Sequence, residues 1–408
     1  MAISLKESIQ VGLSDFWSRK IRSLVTVLGI VLGTMSVIVV LAMVNGINKQ
    51  TLSWMMERGG LAKITVHRNW EYDGDGNERD YFTLKELFHI RELLPEAEYF
   101  NPSMGDWGRI NFQDKFIWNR VQGVVPDYQY IEEWTADQGR FISGFDIDQN
   151  NDVIVIGSKV KEELFANNDP LGEYITFKNR RLKIVGIMKH RYLKNSFNVG
   201  NENSLDYLNR RSFIPISTMI NKISGKDNVR SLALKARSAE EAPALAHKLE
   251  NILLNIRHGE NVFNIESAQE EAQEIEKNAR TFRMVFFLIS IISLLVAGIV
   301  IINIMLATIQ ERTREIGIRL AVGARRFDLF IQFLVQTILV TFIGGVIGVG
   351  AGFSVLNIVS KYLEFQLIAY PGMIIAAIGV SVGVGFLSGI IPAIKAANLN
   401  PVTALRYE

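Results

Sequence analysis

Four runs of uncharged, mainly apolar residues constrain this chain more than any other feature of its sequence. They extend over 22, 27, 32 and 30 residues, at 23–44, 284–310, 329–360 and 365–394. An α-helix rises about 1.5 Å per residue, so even the shortest run covers about 33 Å, enough to cross a hydrocarbon core of about 30 Å. A buried helix of a soluble core could account for one such run, but not for four that are each flanked by charge. We therefore predict an integral membrane protein with four transmembrane α-helices.

Basic residues in the short flanks predict the orientation of these helices. Residues 1–22 carry four Lys or Arg, the 311–328 loop carries five Arg and the 395–408 tail carries two basic residues. The only other short loop, at 361–364, carries Lys361 as its single basic residue. Because positive charge accumulates on the cytoplasmic side, both termini and the 311–328 loop are predicted to lie inside. Residues 45–283 then form a large extracytoplasmic domain.

The composition of residues 45–283 limits what this domain can be. It contains 32 Lys or Arg against 35 Asp or Glu, a net charge of −3, although the whole chain carries +2. The overall charge therefore gives no reason to expect nucleic-acid binding. The chain has no cysteine, so the domain must bury a core without disulfides; its 239 residues are enough for this, and two lobes are expected.

The pattern within the outer domain mixes strands and helices. Alternating or β-branched segments predict strands at 62–68, 152–156, 174–178, 181–187 and 231–236, and helical periodicity predicts helices at 82–94, 159–165 and 239–256. No repeating βαβ order connects these segments. An α+β architecture is therefore predicted.

Helical spacing also continues beyond the apolar runs. Apolar residues recur at intervals of three and four from Val44 to Met55 after the first run, and from Ile265 to Phe282 before the second. This spacing predicts two helices that leave the membrane and pack together as a stalk below the outer domain; two separate domain helices are the alternative. Residues 1–22 are predicted to contain an amphipathic helix on the inner membrane surface.

Glycines at intervals of four residues predict close helix packing inside the membrane. They occur in the first run as Gly29 and Gly33, in the third as Gly344, Gly348 and Gly352, and in the fourth as Gly379 with Gly383 and Gly385 with Gly389. None of the four runs contains Asp, Glu, Lys, Arg or His. Ion-coupled transport normally needs ionisable groups at membrane depth, so the sequence argues against it.

The sequence contains no pattern typical of a catalytic or metal-binding site. The chain contains no G-x-x-x-x-G-K-[ST] phosphate loop and no convincing serine or histidine nucleophile arrangement. The spacing of Asp73, Asp75 and Asn77 is that of a calcium loop, but Glu78 and Leu84 stand where that loop needs Gly and Glu, so a polar hairpin tip is predicted. The five histidines show no paired metal spacing. We predict no catalytic, cofactor-binding or metal-binding residue.

Several segments resemble one known family. The run from Asn303 to Arg326, followed by Gln332 and the glycine-rich third run, looks like the permease signature of MacB-type ABC transporters in the wider FtsX-like superfamily. Further similar segments are Arg22 to Ile30 and Ile391 to Arg406 at the two ends, and Gly139 to Ile142, Val155 to Ser158, Asp169 to Gly172 and Phe213 to Thr218 in the outer domain. The resemblance therefore covers nearly the whole chain.

This resemblance implies a mechanical function in a bacterial inner membrane. Two permease chains would act with two ABC ATP-binding subunits, whose ATP-driven closure pushes a cytoplasmic coupling helix and moves the outer domains through the stalk. MacB fuses its ATPase to the amino terminus, so the ATPase is expected here as a separate polypeptide, and a periplasmic adaptor and an outer-membrane channel are further partners that the resemblance allows. The coupling role is assigned to Glu311, Arg312, Arg314, Glu315, Ile316, Gly317, Ile318, Arg319, Leu320 and Gly323.

The sequence also permits a simpler interpretation of the coupling segment. It permits other functions as well. Glu315 and Arg319 stand four apart and could form an ordinary pair within a helix, leaving Ile316, Ile318, Leu320 and Val322 to enter a partner groove. The leading function is an export or efflux permease. A lipoprotein-releasing permease and an FtsX-like regulator of a cell-wall hydrolase are the alternatives. A membrane-anchored enzyme would need a reactive constellation that the sequence does not offer.

Overall fold

The computed structural model describes residues 20–69, 72, 80–166, 168–193, 203–363, 367 and 369–405. The amphipathic helix predicted within 1–22 lies outside these residues apart from 20–22, and so does the hairpin tip predicted at Asp73 to Asn77. The described helices, in chain order, are α1 Lys20–Met56, α2 Leu84–Leu93, α3 Tyr128–Ile131, α4 Gly144–Asp148, α5 Ser158–Phe165, α6 Asp206–Asn209, α7 Ile216–Thr218, α8 Ala242–Ile256, α9 Ala268–Glu311, α10 Thr313–Ala321, α11 Arg326–Leu363, α12 Pro371–Ala397 and α13 Pro401–Leu405.

Ten strands accompany these helices in the part of the chain that the structure describes. They are β1 Lys63–Arg68, β2 Ala97–Phe112, β3 Lys115–Val124, β4 Ala136–Gly139, β5 Val153–Ile156, β6 Tyr174–Phe177, β7 Arg180–Met188, β8 Ser212–Pro215, β9 Ser231–Ala236 and β10 Phe263–Ser267. A π-helical turn follows α7 at Met219–Ser224. The chain divides into two compact units, a helical unit of Met1–Asn48 with Asn278–Glu408 and a sheet unit of Lys49–Lys277.

Among the described residues, four helices are long and apolar enough to cross a membrane, namely α1, α9, α11 and α12. The predicted fold class is confirmed, since four such helices are present and the large α+β part lies between the first and the second of them. The helices extend beyond the uncharged runs because charged side chains flank the apolar stretch without interrupting helical hydrogen bonding. The fourth helix begins at Pro371 instead of at the start of the run, because proline fixes the backbone angle suited to a first helical turn and has no N–H to leave unpaired.

The sheet unit is built on one ten-stranded, mainly antiparallel sheet. Along the sheet the order is β10-β1-β9-β2-β3-β8-β5-β7-β4, with β6 pairing to β2 and β7. Ile265 lies opposite Val66 in the pairing of β10 with β1, so the predicted stalk helix does not include it and begins at Ala268. The predicted strands and helices of this unit are present, and β2, β3, β4, β8 and β10 are additional strands.

Helix α8 covers one face of this sheet along β1 and β9, while Lys63 and Asn101 are buried on the opposite face. Helix α8 packs Leu245, Leu249 and Leu253 into the same apolar cluster as Ile64 and Leu232. Alternate strand residues point to opposite faces, so His67 and Ser231, which are paired neighbours, lie on the other side. A second apolar cluster centres on Tyr128, Trp134, Phe141 and Phe213.

Candidate coupling segment and helix contacts

The 311–328 segment folds as the short helix α10 between α9 and α11. Its end is set by Gly323, whose φ of 98° is in the left-handed region that a side chain disfavours. The N–H of Gly323 donates to the carbonyl of Leu320 at 3.1 Å, and the N–H of Ala324 donates to that of Arg319 at 3.0 Å. These two bonds satisfy the last carbonyls of the helix and turn the chain into α11.

One side of α10 is fixed to the rest of the helical unit. Ile316 is 3% exposed and belongs to an apolar cluster with Leu329, Phe333 and Ala393. A Cβ added to Gly317 would lie 2.6 Å from the Cβ of Ala404, so this glycine permits close approach of α13. The prediction that Ile316 enters a partner groove is corrected here, because its side chain is buried within its own chain.

Arg319 joins α10 to the third long helix. Its Nη1 donates to Oε1 of Gln332 at 3.1 Å, and Gln332 is 4% exposed on α11. This bond crosses between two helices, in place of the pair within α10 that the spacing of Glu315 and Arg319 allowed. The guanidinium therefore makes the position of α10 depend on the position of α11.

The opposite side of α10 is open. Ile318 is 48% exposed and Val322 84% exposed, and both follow Arg314 at successive intervals of four residues along one side of the helix. Phe327, at the start of α11, is 67% exposed. The exposed side of the segment also carries Glu311 and Glu315, and Arg325 and Arg326 precede Phe327. We call Arg314, Ile318, Val322 and Phe327 the exposed coupling face.

The glycines of the first and third long helices lie at contacts between helices. An added Cβ would meet Ala297 at 3.2 Å from Gly29 and Leu294 at 2.7 Å from Gly33, both on α9. From α11, the added Cβ atoms would meet α1 at Ile30 for Gly344, at Thr34 for Gly348 and at Ile38 for Gly352. Helix α1 therefore packs between α9 and α11, with glycine on one side of each contact.

The fourth long helix divides its glycines differently. Added Cβ atoms at Gly385 and Gly389 would meet Thr341 and Thr337 of α11. For Gly379 and Gly383, nothing in the described part of the chain comes within 4 Å of such an atom. A packing role for these two glycines stays a prediction.

A buried charged network holds the end of α1 within the sheet unit. Nζ of Lys63 lies 2.5 Å from Oε1 of Glu132, and each side chain is 11% exposed. Lys63 also donates to the carbonyl of Arg58 at 3.1 Å. Arg191 donates to the carbonyls of Glu57, Glu132 and Glu133. We call Lys63, Glu132 and Arg191 the helix-end anchor.

The electrostatics of this anchor follow from its burial. Desolvation lowers the pKa of Lys63 from its ordinary value, although the adjacent Glu132 carboxylate acts in the opposite direction. Desolvation also lowers the pKa of the Arg191 guanidinium, which lies 5.0 Å from the ring centre of Trp134. This network could not be predicted from the sequence, because its members stand far apart in the chain and match no motif.

Residues from both units match known protein families. Residues 23–252 match the MacB-like periplasmic core domain, and residues 287–401 match the FtsX-like permease C-terminal domain. The Macrolide export ATP-binding/permease protein MacB of Neisseria gonorrhoeae is 31% identical over 407 residues, covering 98% of this chain and 61% of that protein. The protein of the same name from Bdellovibrio bacteriovorus is 32% identical over 417 residues, covering 98% of this chain and 62% of that protein.

The periplasmic region of MacB from Actinobacillus actinomycetemcomitans is a solved structure that aligns with 54% of this chain and 95% of its own, with 22% identity and a TM-score of 0.43. The four membrane-crossing helices and the large domain between the first two define a multi-pass membrane protein of the permease class. The chain belongs to the family of MacB-like permeases.

Proposed function

We propose that this chain is the mechanical membrane component of an ABC transporter that exports or effluxes its substrate. It would receive the motion of an ABC ATP-binding subunit on the 311–328 segment and pass it to the sheet unit. The observation that carries the proposal is the two-sided structure of α10. One side is fixed to α11 and α13 through Arg319, Ile316 and Gly317, and the other exposes Ile318 and Val322 to whatever binds there.

This arrangement suits a helix that receives a push. A load applied to the exposed coupling face would reach α11 through the bond of Arg319 to Gln332, and α1 through the glycine contacts of α11. Helices α1 and α9 are continuous to Met56 and from Ala268, so they would carry displacement toward the sheet unit. The chain itself is proposed to hydrolyse no ATP, since its sequence has no phosphate loop.

The matched relatives support export over the alternatives. Two of them are named as macrolide export proteins, and this chain spans about 61% of their length. The lipoprotein-releasing permease and the hydrolase regulator stay as alternative functions of the same mechanical design. A second permease chain, an adaptor and an outer-membrane channel are proposed partners, to be identified by cross-linking and mass spectrometry of the complex.

An aspartate on the exposed coupling face is expected to uncouple the chain from its ATP-binding partner. Ile318→Asp or Val322→Asp would bury an unpaired carboxylate in the contact, which costs several kcal/mol if the contact is apolar, about a hundredfold or more in affinity. Binding of the ATP-binding subunit and stimulation of its ATPase would be measured in nanodiscs. Tyr362→Asp, at the other end of α11 and 72% exposed, is the control and should bind normally.

Two further variants make this experiment specific. The Ile318→Ala protein should bind the ATP-binding subunit almost normally if the aspartate variants fail because of their charge. Ile316→Asp is expected to destabilise the helical unit, because Ile316 is buried. Unchanged binding and stimulation in both the Ile318→Asp and Val322→Asp proteins would show that force enters elsewhere.

We propose that both chain termini and the 311–328 segment face the cytoplasm and that the sheet unit faces outward, with the span boundaries near those of the uncharged runs. In this cysteine-free chain, single cysteines at Ala321 and Asp114, both exposed, would be labelled in intact cells with a membrane-impermeant maleimide. We expect labelling at 114 only. Labelling at 321 before the cells are opened would reverse the proposed orientation.

A further inference from the structure

We infer that the face of the sheet opposite α8 carries a binding site for an oxyanion attached to a flat apolar group. The site is a cavity of about 410 Å³ lined chiefly by Arg68, Tyr81, Trp107, Arg120, Arg230 and Ser231, which we call the arginine pocket. Trp107 of β2 lies directly opposite Arg120 of β3, so both project from the same face of the sheet. The comparisons with relatives assign no ligand to these residues.

The positive charge of the arginine pocket is only partly neutralised. Arg68 donates to Asp80 at 2.8 Å, and the Asp80 side chain is 4% exposed. In the described part of the chain, neither Arg120 nor Arg230 has a carboxylate partner. Two guanidinium groups in one cavity without counter-ions repel each other, and an oxyanion that both could contact would remove this repulsion.

The burial of Arg120 strengthens the case for an oxyanion. Its Nε and that of Arg68 are buried and have no hydrogen-bond partner. Desolvation lowers the pKa of Arg120, and the nearby charges of Arg211 and Arg230 act in the same direction. A guanidinium that has lost water without gaining an acceptor is unfavourable until a ligand supplies one. Arginine presents its N–H groups as a planar fork that matches the oxygens of a carboxylate or phosphate.

The walls of the pocket add an apolar, planar component. Trp107 is 65% exposed, and the ring of Tyr81 lies 5.8 Å from the guanidinium carbon of Arg230. An exposed indole ring and a partly buried phenol ring beside arginines favour a ligand with a flat apolar body, because ring stacking and the charged contacts then act together. Gly105 completes the pocket, since a Cβ there would lie 2.7 Å from Nε of Arg120.

The test uses the full chain, purified in a phosphate-free maltoside detergent, and isothermal titration calorimetry with three probes. Phenyl phosphate carries both features of the expected ligand, inorganic phosphate carries only the oxyanion, and benzylamine carries the ring with the wrong charge. We expect phenyl phosphate to bind more tightly than inorganic phosphate and benzylamine not to bind. A water-soluble dihexanoyl phosphatidate tests the lipid source: tighter binding than phenyl phosphate would place the oxyanion on a lipid, and weaker binding on a soluble compound.

Matched variants assign the binding to this pocket. Arg120→Gln and Arg230→Gln should each weaken phenyl phosphate binding by about tenfold or more, because each removes a charged hydrogen-bond donor. Arg109→Gln is the control, since Arg109 lies on the same sheet face but packs over Phe116 at 3.8 Å outside the pocket. In the same way, Trp107→Ala should weaken binding and Trp118→Ala, which alters a tryptophan that is 70% exposed, should not.

Gly105→Ala gives a subtler check, because it displaces the Arg120 guanidinium without removing any charge. We expect weaker binding with a melting temperature close to that of the unchanged protein. No binding of phenyl phosphate, or equal weakening by Arg109→Gln and Arg120→Gln, would overturn the inference. Equal affinity for phenyl phosphate and inorganic phosphate would overturn the inference that the ligand carries a flat apolar group.

Discussion

Replacing Gly348 with valine is expected to lower the free energy of unfolding of the helical unit by about 1–3 kcal/mol, the usual cost of overfilling a packed interior. Any side chain at this position overlaps Oγ1 of Thr34, which is fully buried on α1 and donates to the carbonyl of Ile30 at 2.8 Å. The two helices would have to separate, and the contacts of Gly344 and Gly352 with α1 would open with them. Unfolding of the full chain by SDS in mixed micelles would measure this loss.

The same chain supplies a control for this substitution. Gly379→Val adds the same side chain to a membrane helix where nothing described lies within 4 Å of the added Cβ. We expect a change within about 0.5 kcal/mol, the difference in helix propensity between the two residues. A Thr34→Ala change should restore part of the stability that Gly348→Val loses, since it removes the overlapping oxygen. Equal losses in Gly348→Val and Gly379→Val would mean that the contact between α1 and α11 is not what positions these helices.

The membrane architecture could be predicted because its cause is local in sequence. A lipid-exposed helix must be apolar along its whole length, so each span is visible as an uninterrupted run without reference to any other part of the chain. The strands at 231–236 and 181–187 were visible for a similar reason, because their alternation reflects one covered face. Strand β2 was not visible, since Gly105, Gly108 and Pro102 weaken its β pattern and its neighbours in the sheet hold it in place.

The contacts of the coupling segment could not be predicted from the sequence. The spacing of Glu315 and Arg319 allowed a pair within one helix, and only the fold reveals that Gln332 lies within 3.1 Å of Arg319. Ile316 and Ile318 look alike in sequence, yet one is buried and the other is half exposed, because α10 lies against α11 and α13. The arginine pocket could not be predicted either, because Arg120 and Arg230 are brought together by the pairing of strands that are distant in the chain.

Breaking the helix-end anchor is expected to have the largest effect in the sheet unit. Lys63→Met leaves the buried carboxylate of Glu132 without its partner, and removal of one member of a buried ion pair typically costs about 3–5 kcal/mol. Urea unfolding of the full chain, monitored by tryptophan fluorescence, would measure this loss in free energy of unfolding, because Trp134 belongs to the apolar cluster beside the anchor. The double variant Lys63→Met with Glu132→Leu removes both charges and should recover most of the loss.

The pH dependence of this variant provides an independent test. The pKa of Lys63 is lower in the folded protein than in the unfolded chain, so between the two values the unfolded chain binds more protons, and the stability that depends on Lys63 rises with pH. The difference in free energy of unfolding between the unchanged protein and Lys63→Met should therefore increase with pH in the alkaline range below the ordinary lysine pKa of 10.5. Lys248→Met, which removes an exposed partner of Glu96, should show neither the loss nor the pH dependence. If Lys63→Met unfolds at the same urea concentration as Lys248→Met, the charged network does not hold the end of α1, and the apolar cluster around Trp134 alone would have to fix it.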